Sequence, residues 1–353
     1  MAYTTIDDPT VYFQMKTYTG NGTAIGSGGN SITFDGDTDL APGMLWIKRT
    51  DSTSSHNVHD AVRGAQNRSY PDTTDAQDTS VTESVNAFTS DGFNLGNSGG
   101  GNASGGSYVA YCWKTGTTSG KSTSGESITP SGYSIDATSG VGVFAWSGTG
   151  SNGTITHGLG DNVGNGTMIV KQLNSTAGWQ VYHKGSGATH TWYFNSTAVP
   201  DDSDTVWNDT APTSSVFTLG TNTGTNASGS TYIGYVFAPK QGFSKFGTYE
   251  GNGNADGTFV YTGFKPKLLI CKSIDSTAGA YMIPSKTDWV NGDTYYHYVY
   301  SNTTSSNGAF VDFHSNGFKL RKNDDINNSE TYVYMAWAEA PFVNSNGVPC
   351  NAR

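Results

Sequence analysis

The stretch YVAYCWK at 108–114 constrains this chain more than any other, because close copies return twice: YIGYVFA at 232–238 and YVYMAWA at 332–338. In an extended strand, side chains alternate between faces. Tyr108, Ala110 and Cys112 then share one face, and Val109, Tyr111 and Trp113 share the other. Both faces are apolar. A strand with one wet face would alternate polar and apolar residues, so this one belongs at the centre of a sheet covered on both sides. One cover is the opposing sheet of a sandwich. The other is a sister copy, another subunit, or the strand's own loops.

The flanking sequence repeats in the same order. Asn102-Ala-Ser-Gly105 and Asn226-Ala-Ser-Gly229 precede the first two closing strands, and Asn327-Asn-Ser-Glu330 precedes the third. Earlier come Phe93, Phe217 and Phe318, each with a Leu two positions on. Earlier still, apolar runs end at Lys48, Lys171 and Lys272, and the turns DST, NST and DST follow three residues later. Each copy opens on an aromatic-x-Gly-x-Gly turn, at Tyr18, Trp146 and Tyr249. Self-similarity of this kind predicts one supersecondary unit written three times.

Composition sets the class. Glycine (46 residues), Ser, Thr and Asn are abundant, aromatics reach 12%, and charged residues are only 14%, which suits short strands joined by tight turns. The expected fold is all-β, with three tandem homologous β-sandwich modules. Their boundaries are an N-terminal arm at 1–17, modules at 18–120, 128–242 and 243–338, and a C-terminal tail at 339–353. The Gly/Ser/Thr run 115–127 reads as a linker. The junction at 238–246 is short and partly apolar, so modules two and three should pack closely. The arm either docks on a neighbouring subunit or is a simple first strand. Segment 75–88 has a helical spacing of Val81, Val85 and Phe88, but its counterpart in the third copy is strand-like and favours strand.

The net charge is −10 and no Lys/Arg cluster occurs, which argues against nucleic acid and anionic membranes as partners. No apolar run approaches membrane-spanning length. Three cysteines, no signal-peptide core and no repeated Cys placement predict reduced thiols in a chain folded in a cytoplasm.

Chemistry is sparse. Asp35, Asp37 and Asp39 place hard oxygens in one short loop, as Ca2+ requires, but no glutamate follows at the spacing of a helix-loop-helix site; the alternative is a polar turn. His56 and His59 lack a second metal-spaced pair. No nucleophile elbow, phosphate loop or dinucleotide fingerprint appears, and the five glutamates do not repeat. No catalytic residue is assigned and no enzyme is expected. Trp113, Phe237 and Trp337 are equivalent and mark core. Trp179, Trp192 and Trp207 are not repeated, so they are candidates for stacking on a ligand's sugar rings; packing is the alternative.

LWIKRTDST, LLICKSIDST, SDGFNLG at 90–96 and the ending MAWAEAPFVNSNGVPCNAR resemble a repeated module of virion proteins from marine tailed bacteriophages. The resemblance spans nearly the whole chain. It implies a lectin-like (jelly-roll) sandwich and a structural protein of the virion surface, most simply a tail fibre or adhesin that contacts a host glycan or protein. A capsid-associated decoration or head-fibre protein is the alternative, and a glycan-degrading enzyme a third. Other virion proteins are the implied partners. The two apolar faces of the closing strand, repeated three times, predict a homo-oligomer, most simply a homotrimer, and the resemblance to phage fibres implies the same; the alternative is that the three modules bury these faces against each other within one chain. No catalytic residue carries over.

Overall fold

A computed structural model describes residues 3–79, 83–161, 163–285, 294–323 and 326–350. It is 42% strand and 5% helix, so the chain is mostly β, as composition predicts. The first block comprises β1 (Phe13–Thr19), β2 (Asn30–Ile32), β3 (Pro42–Arg49), β4 (Asn57–Asp60), β5 (Val85–Thr89), β6 (Gly92–Leu95) and β7 (Ser107–Lys114). The second comprises β8 (Gly132–Asp136), β9 (Val141–Ser147), β10 (Gly153–Thr156), β11 (Thr167–Gln172), β12 (Trp179–His183), β13 (His190–Tyr193), β14 (Asp201–Asp202), β15 (Val216–Leu219) and β16 (Thr231–Phe237). The third comprises β17 (Ser244–Glu250), β18 (Phe259–Tyr261), β19 (Phe264–Ser273), β20 (Tyr281–Pro284), β21 (Thr294–Tyr298), β22 (Ser306–Gly308), β23 (Val311–His314), β24 (Gly317–Leu320) and β25 (Thr331–Pro341).

All named pairings are antiparallel. The large sheets run β1-β7-β3-β4, then β14-β13-β12-β11-β16-β9-β8, then β17-β25-β19-β20-β21-β22. One four-strand order recurs in each: the strand that carries the opening aromatic (β1, β9 or β17), closing strand, lysine strand, next strand. The smaller sheets are β2-β6-β5, β10-β15 and β18-β24-β23. The closing strands β7, β16 and β25 are internal in every case, as their two apolar faces require.

The second face of each closing strand meets the other blocks, not another subunit. Tyr108, Ala110 and Cys112 pack with Phe93 and Leu95 of the first block's small sheet. Val109, Tyr111 and Trp113 join one central core together with Ile233, Tyr235 and Phe237 and with Met335 and Trp337. Trp113, Phe237 and Trp337 meet there at centroid distances of 6.0, 5.3 and 5.3 Å. The faces that motivated a homotrimer are therefore covered within one chain, and that expectation loses its physical ground.

The repeated turns have one construction. Gly22, Gly150 and Gly253 adopt φ of 67, 72 and 61°, which only glycine takes without strain. Their N–H groups donate to the carbonyls of Asn102, Asn226 and Asn327 at 2.9, 2.8 and 2.6 Å. The same three asparagines are fully buried, and each Oδ1 accepts from the turn's own backbone, from Asn21, Thr149 and Asn252 N. The opening aromatic then stacks on the closing tyrosine: Tyr18 on Tyr108, Trp146 on Tyr232 and Tyr249 on Tyr332, at 5.1, 5.6 and 5.0 Å. Asn226 Nδ2 also donates to Ser151 and Gly220 carbonyls. Asn226→Ala removes the turn's acceptor and the donor to the buried Gly220 carbonyl, and should cost about 2 kcal/mol in urea unfolding.

Four sequence expectations shift. The stretch 115–127 is docked on the second block: Thr117 pairs with Ile135, and the internal Lys121–Glu126 ion pair meets the Thr156 hydroxyl of β10, which accepts from Lys121 and donates to Glu126. The supposed arm divides. Phe13 onward is β1, paired from Phe13 opposite Trp113. Before it, Tyr3 donates to Gly263 O at 2.9 Å, and Ile6 is buried in the central core, so this stretch lies on the third block. β25 continues to Pro341, past the expected end at 338, because Lys265 and Phe264 still offer it partners. Within 75–88 the strand is confined to its end, from Val85; Val81 lies outside the described residues.

Candidate binding site

The sequence candidates resolve as follows. Trp179, Trp192 and Trp207 are 1%, 1% and 0% exposed. Trp179 stacks on Tyr235 and donates from Nε1 to Tyr70 O at 2.8 Å, bridging the second block to the first. Trp192 packs edge-on against Phe194, and Trp207 against Tyr182. None offers an open ring face for a sugar. Asp35, Asp37 and Asp39 lie exposed on one loop, and Asp35 pairs with Lys16 of β1. Gln14 clasps that loop, accepting from Gly36 N and donating to Thr38 O, so the loop covers the free edge of β1. Among the described residues no group of three or more His, Cys, Asp or Glu is arranged to hold a metal ion. Cys112 and Cys271 are buried free thiols and Cys350 an exposed one.

The repeated lysines are structural. Lys48, Lys171 and Lys272 are fully buried, and burial pushes each down to about 8. Each donates to the carbonyl six residues on: Ser54 at 2.6 Å, Ala177 at 2.7 Å, and Ala278. Two also reach a different block, Lys48 to Asn302 O at 3.2 Å and Lys171 to Thr74 O at 3.0 Å. Identical backbone pairs flank these contacts. Ser54 N donates to Asn302 O and Ser305 N to Thr50 O; Ala177 N donates to Thr74 O and Gln77 N to Leu173 O. The second block thus grips the first, and the first grips the third, by the same clamp.

Buried histidines make further joints. His183 accepts from Gly185 N at Nδ1 and donates from Nε2 to Tyr334 O at 3.0 Å. His56 accepts from Trp46 Nε1 and donates to Tyr298 O at 3.0 Å. A second proton on either ring would face an N–H donor, and burial disfavours the charge further. His183 is pushed down to about 4 and His56 well below its usual value. Between blocks one and two, Arg63 Nε donates to Asp60 Oδ2 at 2.6 Å, and the Tyr235 hydroxyl donates to the same oxygen at 2.9 Å. Burial opposes the Arg63 cation, but Asp60 and Tyr235 outweigh it and hold its pKa above the usual value. Asp60→Asn leaves that cation uncompensated and should cost about 3 kcal/mol of stability, read from chemical denaturation.

What remains open to solvent is a groove of about 720 Å3 in the third block, between the edge strands β17 and β18. Phe259 and Tyr261 line it at 44% and 47% exposure, flanking the buried Val260. Lys245 of β17 and Lys184, from the loop after β12, face the same space. A second groove, of about 540 Å3, runs between blocks one and three and is lined by Tyr18, Asp51, Tyr108 and Tyr295. Neither exposed aromatic of the first groove, Phe259 or Tyr261, stood out in the sequence. The available signal was the alternation Phe-Val-Tyr in a strand whose counterparts, Asn30–Ile32 and Gly153–Thr156, carry no aromatic.

No curated protein matches this chain, and no solved structure matches it. One family model does, over residues 8–341, and it is described as a domain of unknown function, DUF7483. With nearly its whole length inside that model, the chain belongs to the DUF7483 family.

Proposed function

We propose that this chain is a surface structural protein of a tailed-bacteriophage virion, built of three tandem homologous jelly-roll sandwich modules and acting as a tail fibre or adhesin toward the host. The observation that carries this reading is the use made of the reactive side chains. The buried lysines and His56 and His183 are spent on holding carbonyls within and between blocks. The open surface is a groove with exposed aromatics, which suits recognition better than catalysis. The matching clamps at 54/302 and 177/74 and the three identical turns support descent from one module. On this reading the protein folds in the host cytoplasm, has no catalytic activity, and meets other virion proteins at one end.

One observation favours a second role, capsid decoration. The closing-strand faces are buried within the chain, so a single copy needs no trimer to cover them. Gold-labelled antibody on intact particles tests both. Label at the tail tip supports the adhesin, label over the head supports decoration, and particles without the protein overturn the virion assignment altogether.

A further inference from the structure

Of the three strands that carry the opening aromatic, β1, β9 and β17, only β17 has an outer edge left open among the described residues. In the second block, β8 pairs with β9 from Val141 to Ala145. In the first, the 35–39 loop is clasped over β1 by Gln14. At the position equivalent to Gln14 the third block has Lys245, which donates to Tyr261 O at 2.7 Å across the mouth of the sandwich. The opening that results is the larger groove, and its contents are unlike the rest of the surface. Phe259 and Tyr261 project from the outer face of β18. Lys184 overhangs from the second block, and its charge acts on Lys245. Among the described residues neither lysine forms a salt bridge. The groove's carboxylate, Glu250, accepts instead from Thr331 Oγ1 at 3.4 Å. Lys245 also lies 5.4 Å from the Tyr261 ring centroid, so the groove sets two cations with no salt-bridge partner among the described residues beside two exposed aromatics, in a chain of net charge −10.

The backbone that carries Lys184 is also held in place. His183 is tied to Tyr334 O, Gly185 N closes on His183 Nδ1 at 2.9 Å, and a Cβ on Gly185 would lie 2.5 Å from the Thr248 methyl of β17. The backbone on both sides of Lys184 is therefore fixed against the third block. A ligand would find the loop that carries the charge already ordered, with only the exposed lysine side chain left to settle.

We infer that the groove between β17 and β18 binds an acidic saccharide, with Phe259 and Tyr261 against the apolar face of a sugar ring and Lys184 and Lys245 at its carboxylate. Aromatic rings supply flat apolar area with few rotors to freeze. The lysines discriminate by charge, which a neutral sugar cannot satisfy. The inference rests on the proposed recognition role and names its site and ligand class.

The test is calorimetric titration of the full chain with tetragalacturonate, and with the same tetrasaccharide after reduction of its carboxyls. The inference requires saturable binding of the acid form, at least about fivefold weaker for the neutral form. Phe259→Ala, at an exposed position, should weaken both forms by about tenfold. Lys184→Gln should weaken the acid form by about fivefold and leave the neutral form unchanged. Absence of saturable binding overturns the inference, as does binding that neither variant alters. Equal binding of a tetraglutamate peptide also overturns it, because the groove would then recognise charge without sugar. Labelling of particles is independent of this outcome: a protein seen on the virion that fails to bind sinks the ligand class alone, and one absent from the virion sinks the broader reading.

Discussion

Acidification from pH 7 to pH 5 should destabilise this protein by about 7 kcal/mol, enough to unfold a domain of ordinary stability. The cause is four imidazoles buried without charge. Burial pushes His59 and His297 down to about 3, His183 to about 4, and His56 well below its usual value, with Lys48 and His297 adding repulsion at His56. In the unfolded chain each returns to about 6.5 and takes up a proton below that pH. The native state does not take those protons until pH falls near 4 or below. Stability is therefore complete above about pH 6.5 and is lost as pH falls, by up to about 1.4 kcal/mol per pH unit per histidine. His157, also pushed down by burial, acts in the same direction. Urea midpoints across the range give the proton difference directly. At pH 5.5 the slope should correspond to about three to four protons taken up on unfolding. A slope of less than one would mean that these rings are hydrated or already charged in the native protein.

Trp337→Ala should cost about 5 kcal/mol, the upper range for removing a buried tryptophan. Trp337 is 1% exposed and touches Trp113 and Phe237 at 5.3 Å each, Phe246 at 5.6 Å and Phe13 at 6.2 Å. Those rings come from all three blocks and are themselves constrained by strands, so the cavity has no easy way to collapse. The loss should appear as one lowered transition for the whole chain. Replacement by Phe should recover most of it, since Phe237 already fills the equivalent position in the second block.

Much of this was legible from repetition. Equivalent positions announced the Trp113/Phe237/Trp337 core, and Asn102, Asn226 and Asn327 were aligned with the turns they hold. A repeated residue shows that a job exists in each copy, and its neighbours in sequence show what the job is. Partners across blocks leave no such trace. Trp179 looked like an unrepeated surface aromatic because its acceptor, Tyr70 O, belongs to another block. Lys48, Lys171 and Lys272 were visible as the ends of apolar runs, but their burial depends on carbonyls brought up by a turn and, for two of them, by a second block. The run 115–127 has the composition of a free linker, yet a backbone bridge to Ile135 and hydrogen bonds of Lys121 and Glu126 to Thr156 are enough to dock it. The groove residues Phe259, Tyr261, Lys184 and Lys245 are drawn together from two blocks, and only the fold could place them side by side.

The central claim is that three sheet blocks in one chain close on a shared core and behave as one body. Scanning calorimetry at pH 7 tests it most directly. A single transition, with calorimetric and van't Hoff enthalpies equal, is the predicted result. Two or three resolved transitions, with residues 13–114 melting apart from the rest, would contradict it.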